Sequence, residues 1–318
     1  MADASMIDAP VTSADQMLDG LKQEIGAEGF QYLLDRDHSV SFIPRGPKLL
    51  VSFERVEDTL DLGDTGMPMS LDFADDKNWS VLHFAANGET WFRSQALYDI
   101  LDEMVDDAFF EDFDKVTFFG LGMGAYAAAA FSVVAPGATV VAIAPQATLD
   151  HERAEWDTRF PAARLLEFRD RFGYAPDMVE GAGRAFVLYD PIEMLDSVHA
   201  SLFRGDNVVR LKCRHLKDGI ARALLDMDVL HKVVEDAAEG RLTETGFYAL
   251  LRRRRDYPRY LRNLLFYMDD MNRPYLTAVY CTHVLSRMNA PAFRRRLNAA
   301  RATLAADGRL PLWLDDDE

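Results

Sequence analysis

Residues 116–145, VTFFGLGMGAYAAAAFSVVAPGATVVAIAP, hold two nearly continuous apolar runs separated by alternating glycines and an alanine-rich segment. An apolar run of strand length indicates a strand buried on both faces, as in parallel sheets covered by helices. The glycines fit a tight turn into a crossover helix, and Pro136-Gly137 ends that helix. This strand–turn–helix–strand unit predicts an α/β fold.

Four further segments have strand character, and helical patterns separate them. They are residues 48–57, 79–87, 184–191 and 207–213. Strands that alternate with helices predict a doubly wound, mostly parallel sheet. Ligands bind outside the carboxyl ends of the strands in such sheets, so we expect the functional residues in the loops that follow them.

Sequence pattern divides the chain into three parts. Residues 1–39 are predicted to hold a polar tail and an amphipathic helix, to which apolar spacing assigns residues 16–36. Residues 40–230 form the predicted α/β core, with an insertion at 146–183. Residues 231–318 lack strand signals, and prolines separate their helical segments, so we expect an all-helical C-terminal unit.

Charge is distributed unevenly along the chain. The net charge is −17, which disfavours nucleic acid as a partner because a phosphate backbone would be repelled. Residues 241–318 nevertheless contain 14 Arg, no Lys and 9 acidic residues. This asymmetry favours a separate C-terminal unit that makes its own contacts.

We expect the chain to be cytoplasmic. Its first residues are polar and acidic, without the apolar segment of a secretory signal, and no apolar run is long enough to span a membrane. The two cysteines, Cys213 and Cys281, are far apart and are expected to be reduced.

The glycine turn has the spacing of a nucleophile elbow. Gly120-Leu121-Gly122-Met123-Gly124 has the spacing of G-x-S-x-G, in which small residues flank a nucleophile on a sharp strand-to-helix turn, but Gly122 stands at the place of the serine. The segment resembles the elbows of α/β-hydrolases, and the resemblance covers about residues 48–230. It implies that fold, with Asp190 and His215 at the positions expected of the catalytic acid and histidine. The loop Asn87–Arg93 resembles the oxyanion-side loop of bacterial hydrolase-like proteins linked to polysaccharide biosynthesis.

Gly122 has no side chain to attack a carbonyl, which makes serine-hydrolase chemistry improbable. The sequence therefore favours a non-catalytic, hydrolase-like protein that binds a small anionic ligand near the start of a helix. The predicted ligand-binding residues are Gly120, Gly122, Met123, Gly124, Asn87 and Trp91. No cofactor and no metal are predicted.

Two enzymatic alternatives stay open. A divergent esterase or acyl-transfer enzyme could use another nucleophile or water activated by His215. A dinucleotide-binding oxidoreductase is the second alternative, because Gly120–Ala125 also fits G-x-G-x-x-[GA]. The strand after this turn ends in AIAPQ, however, without the acidic residue that would hold a ribose.

A second resemblance involves Pro145–Asp150 and Arg171–Ala182, which are similar to segments of alphaproteobacterial proteins labelled phosphoadenosine phosphosulfate reductase. The motifs do not support that label. Such reductases need an early serine- and glycine-rich pyrophosphate loop and a cysteine in an E-C-G-x-H motif, whereas Tyr280 and Thr282 flank Cys281.

The remaining candidates are histidines, carboxylates and a basic cluster. Asp196 and His199 share a helix face, but no third metal ligand is evident. His83 lies in an apolar strand and is expected in the core. An arginine- and tyrosine-rich cluster is predicted to bind a protein partner, since both residue types are favoured at interfaces. It comprises Arg252, Arg253, Arg254, Arg255, Tyr257 and Arg259.

Overall fold

The computed structural model describes residues 13–63 and 65–315. Their strands form a single eight-stranded sheet in the order β1-β2-β4-β3-β5-β6-β7-β8. β1 and β2 are antiparallel to their neighbours, and all pairings from β4 to β8 are parallel. The strands are Phe30–Leu33 (β1), His38–Ile43 (β2), Lys48–Arg55 (β3), Ser80–Ala86 (β4), Lys115–Leu121 (β5), Thr139–Ile143 (β6), Arg184–Tyr189 (β7) and Val208–Lys212 (β8). This is the strand arrangement of the α/β-hydrolase fold, and the predicted fold class is confirmed.

Helices cover both faces of the sheet. α4 and α5 lie on the face that carries Phe53, whose ring packs against Phe131 of α5. α3 and α9 lie on the other face, where Phe73 contacts Phe119 of β5 and His231. The helices preceding Leu251 are Ala14–Glu24 (α1), Val56–Leu62 (α2), Met69–Ala74 (α3), Gln95–Asp106 (α4), Met123–Phe131 (α5), Ala175–Met178 (α6), Met194–Leu202 (α7), Ile220–Asp226 (α8), Leu230–Ala238 (α9) and Glu244–Leu250 (α10).

The N-terminal prediction is wrong in two respects: it assigned no strand to residues 38–43, which form β2, and its helix is too long. The helix assigned to residues 16–36 ends at Glu24, and residues 30–33 form β1. A Cβ added at Gly29 would lie 2.5 Å from the carbonyl oxygen of Phe42, so the chain here passes too close to β2 for any residue but glycine. The predicted tail at residues 1–12 lies outside the described residues.

The chain divides into two compact units between Leu251 and Arg252. α9 belongs to the sheet unit because Val233, Val234 and Ala237 are buried and the helix packs beside β5 and β6. The division therefore falls later than residue 230. The second unit contains Pro258–Asp270 (α11), Pro274–Leu285 (α12), Pro291–Ala306 (α13) and Leu312–Asp315 (α14).

Small buried cores support the second unit. One joins Leu261 and Leu265 of α11 to Cys281 and Val284 of α12 and Phe293 of α13. Burial raises the pKa of the Cys281 thiol to about 11, which makes it a poor nucleophile. Among the described residues, no helix is long and apolar enough to cross a bilayer.

Candidate functional site

A single residue makes the turn between β5 and α5. Gly122 has φ 52° and ψ −116°, a backbone conformation that strains any residue with a side chain. Its N–H donates to the carbonyl of Ile143 at 2.9 Å, and its own carbonyl accepts from the N–H of Tyr126 at 3.0 Å. The turn is therefore fixed both to β6 and to the first turn of α5.

Gly120, Gly122 and Gly124 differ in how closely other backbone atoms approach them. A Cβ added at Gly120 would lie 2.1 Å from the carbonyl oxygen of Gly124, and one at Gly124 would lie 2.0 Å from that of Phe53. These two glycines allow β3, β5 and α5 to pack in backbone contact. A Cβ at Gly122 would meet nothing within 4 Å, so the space beyond the turn is open.

The loop after β4 lies at the same edge of the sheet. Asn87 is exposed and donates its backbone N–H to Asp37 at 2.8 Å. Trp91 and Phe92 both have left-handed backbones and are buried. The Trp91 ring packs edge-on against Phe160 at 4.9 Å and against Tyr126 of α5. Its indole Nε1–H has no hydrogen-bond partner among the described residues.

Arg93 connects the segment between β6 and β7 to α5 through hydrogen bonds and an ion pair. Its buried guanidinium donates to the Tyr126 hydroxyl at 3.0 Å and to the carbonyl of Glu167 at 2.9 Å, and it forms an ion pair with Asp170. Tyr126 in turn donates its hydroxyl to the carbonyl of Phe172 at 2.8 Å. Burial raises the pKa of Tyr126, so its hydroxyl remains a proton donor in this network. These contacts make the insertion a fixed covering for this end of α5.

His199 holds the loop after β6. The backbone N–H of Ala147 donates to His199 Nδ1 at 3.1 Å, which leaves the proton on Nε2, 2.9 Å from Asp157 Oδ2. Arg159 binds both Asp157 and Asp196, the latter at 2.6 Å. Burial acts to raise the pKa of Asp157, but hydrogen bonds from His199 and Arg159 outweigh it and hold that pKa well below its usual range.

These contacts engage both members of the Asp196–His199 pair considered from the sequence. Within residues 13–63 and 65–315 there is no group of three or more His, Cys, Asp or Glu that could hold a metal ion. Gln146, in the same loop as Ala147, is buried, and its Oε1 lacks a hydrogen-bond partner among those residues.

Asp190 connects the loops after β7 and β8. It is fully buried, and its carboxylate accepts the backbone N–H of Ile192 at 3.0 Å and that of Lys217 at 2.8 Å. His215, in the second of these loops, is half-buried with φ 64°. β8 is the third strand from β5, roughly 14 Å away at the usual strand spacing.

Sequence reasoning did not find a buried polar cluster beneath α3. Ser52 and Glu54 on β3, His83 on β4 and Ser70 on α3 form it, and we call it the Ser52 cluster. Ser52 Oγ lies 2.8 Å from both His83 Nδ1 and Ser70 Oγ, and Glu54 accepts the backbone N–H groups of Met69 and Ser70. Knowledge of the strand register would have revealed this cluster, because Ser52 lies directly opposite His83 in the β3–β4 pair.

Burial perturbs both ionisable groups of the Ser52 cluster. It raises the pKa of Glu54 against the opposing hydrogen bonds, and it lowers the pKa of His83 to about 3. All four side chains are at most 3% exposed, so no substrate reaches them. The expectation that His83 belongs to the core agrees with this placement.

The arginine cluster lies at the start of the second unit. Arg252 to Arg255 occupy one helical turn, where the guanidinium of Arg254 lies over the Tyr260 ring at 5.1 Å. Arg252, Arg253, Arg255 and Arg259 are exposed, and Tyr257 directly precedes α11.

Comparison with known proteins finds remote structural likenesses. No protein-family model matches the chain, and no curated protein matches it either. The glycosylation-associated protein complex Gap123 of Streptococcus agalactiae is 17% identical with a TM-score of 0.43; the match covers 62% of this chain and 44% of that one. An esterase of Pyrococcus furiosus is 13% identical with a TM-score of 0.44, covering 73% and 97%. An esterase of Pyrobaculum calidifontis is also 13% identical, with a TM-score of 0.38, covering 74% and 88%. Likenesses this remote carry no information about activity.

Proposed function

We propose that this chain is a non-catalytic, α/β-hydrolase-like protein that binds a ligand in the crevice at Gly122. One observation carries the proposal: the residue at the strand-to-helix turn has no side chain, and the space into which one would project is open. A nucleophilic enzyme needs an oxygen or sulfur atom at this point. Gly122 supplies none and leaves room for a ligand.

The surroundings favour a small anionic ligand such as a carboxylate or phosphate. The first turn of α5 directs backbone N–H groups and the positive end of its dipole towards the crevice edge. Trp91 and Gln146 each bring a buried polar atom without a partner in the described part of the chain to loops at this edge. Buried polar atoms are rarely left unpaired: an oxygen of the anion would accept from Trp91 Nε1–H, whereas Gln146 Oε1 is an acceptor and needs a donor such as the P–OH group of phosphate.

Calorimetric titration with acetate and with inorganic phosphate tests this binding. We expect Gly122→Leu, which fills the open space, to abolish the heat of binding. Gly308→Leu is the matched control, because Gly308 also has a positive φ and open space but lies in the second unit. Equal binding by wild type and Gly122→Leu would contradict the proposal.

Hydrolysis of p-nitrophenyl acetate separates the binding protein from the esterase alternative. We expect no saturable turnover by the wild type. Turnover that His215→Ala abolishes would establish the alternative instead. A fluorescence titration with NADH tests the oxidoreductase alternative in the same way.

We also propose that the second unit binds a protein partner through its arginine-rich surface. Residues 252–318 contain 13 Arg and no Lys, and arginine is favoured at interfaces because its planar group pairs and stacks. The cytoplasmic location and the link to polysaccharide biosynthesis remain predictions from the sequence.

A further inference from the structure

The loop after β4 has a strained backbone at its centre. Trp91 and Phe92 have φ of 56° and 54°, and no other two neighbouring non-glycine residues of the described chain share this left-handed conformation. Bulky residues seldom adopt it, and such strain persists only where the surrounding contacts enforce it. Both side chains are almost fully buried, at 2% and 0% exposed. The contacts around the loop therefore determine its conformation.

Two side-chain hydrogen bonds tie this loop to the turn between β1 and β2. His38, the first residue of β2, pairs with Ala86 at the carboxyl end of β4, which brings the turn beside the loop. His38 Nε2 lies 2.8 Å from Thr90 Oγ1. The Ser94 hydroxyl, just after the loop, donates to the carboxylate of Asp35. We call Asp35, His38, Thr90 and Ser94 the His38 network.

The hydrogen bonds of the His38 network run in one direction. The Asp35 carboxylate lies 2.9 Å from His38 Nδ1 and can only accept, so this nitrogen carries a proton. Nε2 of the neutral ring then accepts the Thr90 hydroxyl, whose oxygen accepts the backbone N–H of Phe92 at 3.2 Å. Burial acts to raise the pKa of Asp35, but hydrogen bonds, first among them that from Ser94, outweigh it and lower that pKa. A charged carboxylate therefore anchors a chain of bonds that ends on the strained backbone.

The His38 ring also packs against the loop. Its side chain is 5% exposed, and its ring lies 6.0 Å from that of Phe92. The Phe92 ring in turn meets Phe53 of β3 edge-on at 5.3 Å. His38 thus contacts the hydroxyl that precedes Trp91 in the chain and the ring that follows it, which leaves the Trp91 backbone little freedom.

Trp91 lies between these two fixed residues and carries an unpaired donor. Its ring packs against Phe160 and against Tyr126 in the first turn of α5. Its Nε1–H can only donate, and it has no hydrogen-bond partner among the described residues. A buried donor without an acceptor is rare and costly. The strained backbone and the unpaired donor have one common explanation if the loop places this N–H for an acceptor outside the chain.

We propose that His38 is a positioning residue: through the Thr90 hydroxyl and the Phe92 ring it holds the loop so that the Trp91 indole N–H donates to an anionic oxygen of the ligand. His38 itself does not contact the ligand. The acceptor rests on the proposed binding in the crevice at Gly122, whereas the placement of Trp91 by His38 does not.

The indole N–H resonance of Trp91 tests the placement without a ligand. The chain has four Trp, and the indole peak missing from the nitrogen–proton NMR spectrum of Trp91→Phe belongs to Trp91. Thr90→Val removes the hydroxyl and keeps the shape of the side chain. We expect it to displace or broaden the Trp91 peak and to speed exchange of the indole proton with solvent about tenfold or more. Thr90→Ser retains a hydroxyl and should restore the peak.

Titration with inorganic phosphate then tests the acceptor. We expect phosphate to shift the Trp91 indole peak of the wild type. The Kd should rise about tenfold or more in Trp91→Phe, because a hydrogen bond to a charged group is lost, and in Thr90→Val, because the donor is no longer held in place. His38→Asn keeps a donor for Asp35 but does not reach Thr90, so it should match Thr90→Val.

A matched variant separates positioning from general loss of stability. Thr243 also accepts a backbone N–H, that of Gly246 at 3.0 Å, but at the start of α10, so Thr243→Val should keep the Trp91 peak and the wild-type Kd. A Trp91 peak unchanged in both Thr90→Val and His38→Asn would overturn the proposal whether or not phosphate binds. A displaced peak with an unchanged Kd would overturn it too. If the wild type bound no phosphate while its Trp91 peak depended on Thr90, the proposed ligand would fail and the placement by His38 would stand.

Discussion

Two regions of the sheet unit differ in what they contain and in what can reach them. The Ser52 cluster holds two serines, a histidine and a glutamate, and all four side chains are buried where α3 covers β3 and β4. The turn at Gly122 lies at the edge where ligands of such sheets bind and faces open space, yet it has no nucleophilic side chain. The residue types of hydrolytic chemistry are present, but away from the place where a substrate would enter.

The comparison shows that the presence of serine, histidine and glutamate together does not make a catalytic site. A serine paired with a histidine is catalytic only when a substrate carbonyl can approach the oxygen atom. In the Ser52 cluster Ser52 Oγ contacts His83 Nδ1 and Ser70 Oγ, and Glu54 accepts two backbone N–H groups at the start of α3, which is a structural role. His83 Nε2 has no hydrogen-bond partner among the described residues. At Gly122 the turn keeps a sharp strand-to-helix backbone without a nucleophilic side chain, and we propose that it binds a ligand.

The largest expected effect concerns the glycines around the turn. Gly124→Ala places a Cβ against the backbone of Phe53, and relief requires α5 to move away from β3. We expect a loss of about 4 kcal/mol or more in the free energy of unfolding, measured with urea. In Gly122→Ala the added Cβ meets open space, so only the positive φ opposes it. We expect this variant to lower the free energy of unfolding by only about 1–2 kcal/mol. Equal losses would show that the two glycines have the same role.

Removal of Glu54 tests the structural role of the Ser52 cluster. Glu54→Ala leaves the N–H groups of Met69 and Ser70 without an acceptor in a buried place, which costs about 1–3 kcal/mol for each. We expect a loss of about 3 kcal/mol in urea unfolding. Glu54→Gln retains one acceptor oxygen and should lose about half as much. If Glu54→Ala lowered the free energy of unfolding by less than about 0.5 kcal/mol, Glu54 would not have the structural role described here.

The protonation of His83 gives a dependence on pH. Its pKa in the fold is about 3, below the usual value of 6.5, so the unfolded chain binds a proton that the fold excludes. The stabilisation is therefore complete above pH 6.5 and is lost as the pH falls towards 3, by up to about 1.4 kcal/mol per pH unit. His83→Asn should flatten the pH dependence of the unfolding free energy between pH 6.5 and 4. If the unfolding free energies of wild type and His83→Asn changed with pH in the same way, His83 would not be a buried, neutral residue.

The fold could be predicted because its central strands are almost entirely apolar. Residues 116–145 specify a buried strand, a turn and a crossover helix without help from the rest of the chain. β1 and β2 were both missed. Tyr32 and Leu33 of β1 are more than half exposed, as in an edge strand, and β2 contains His38, Ser39 and Ser41 and so lacks an apolar run.

The site was predictable only in part. Spacing alone identified Gly122 as the point of the turn. The partners of Asp190 could not be predicted, because one of them is the backbone of Lys217, which only the folded loops bring near. The Ser52 cluster depends on the register of β3 against β4 and on the position of α3, and one sequence specifies neither.

The smallest expected effect is also the most direct test of the comparison. Gly122→Ser introduces a hydroxyl at the turn, where there is room for it, and should lower the unfolding free energy by about 1–2 kcal/mol, as Gly122→Ala does. We expect no burst and no turnover of p-nitrophenyl acetate, because Asp190 is committed to two backbone N–H groups and the rings of His83 and His199 are buried. A hydroxyl without a base to accept its proton gives little catalysis. If the variant did hydrolyse the ester, and His215→Ala in the same chain abolished the activity, then His215 reaches the turn and the crevice lacks only its nucleophile.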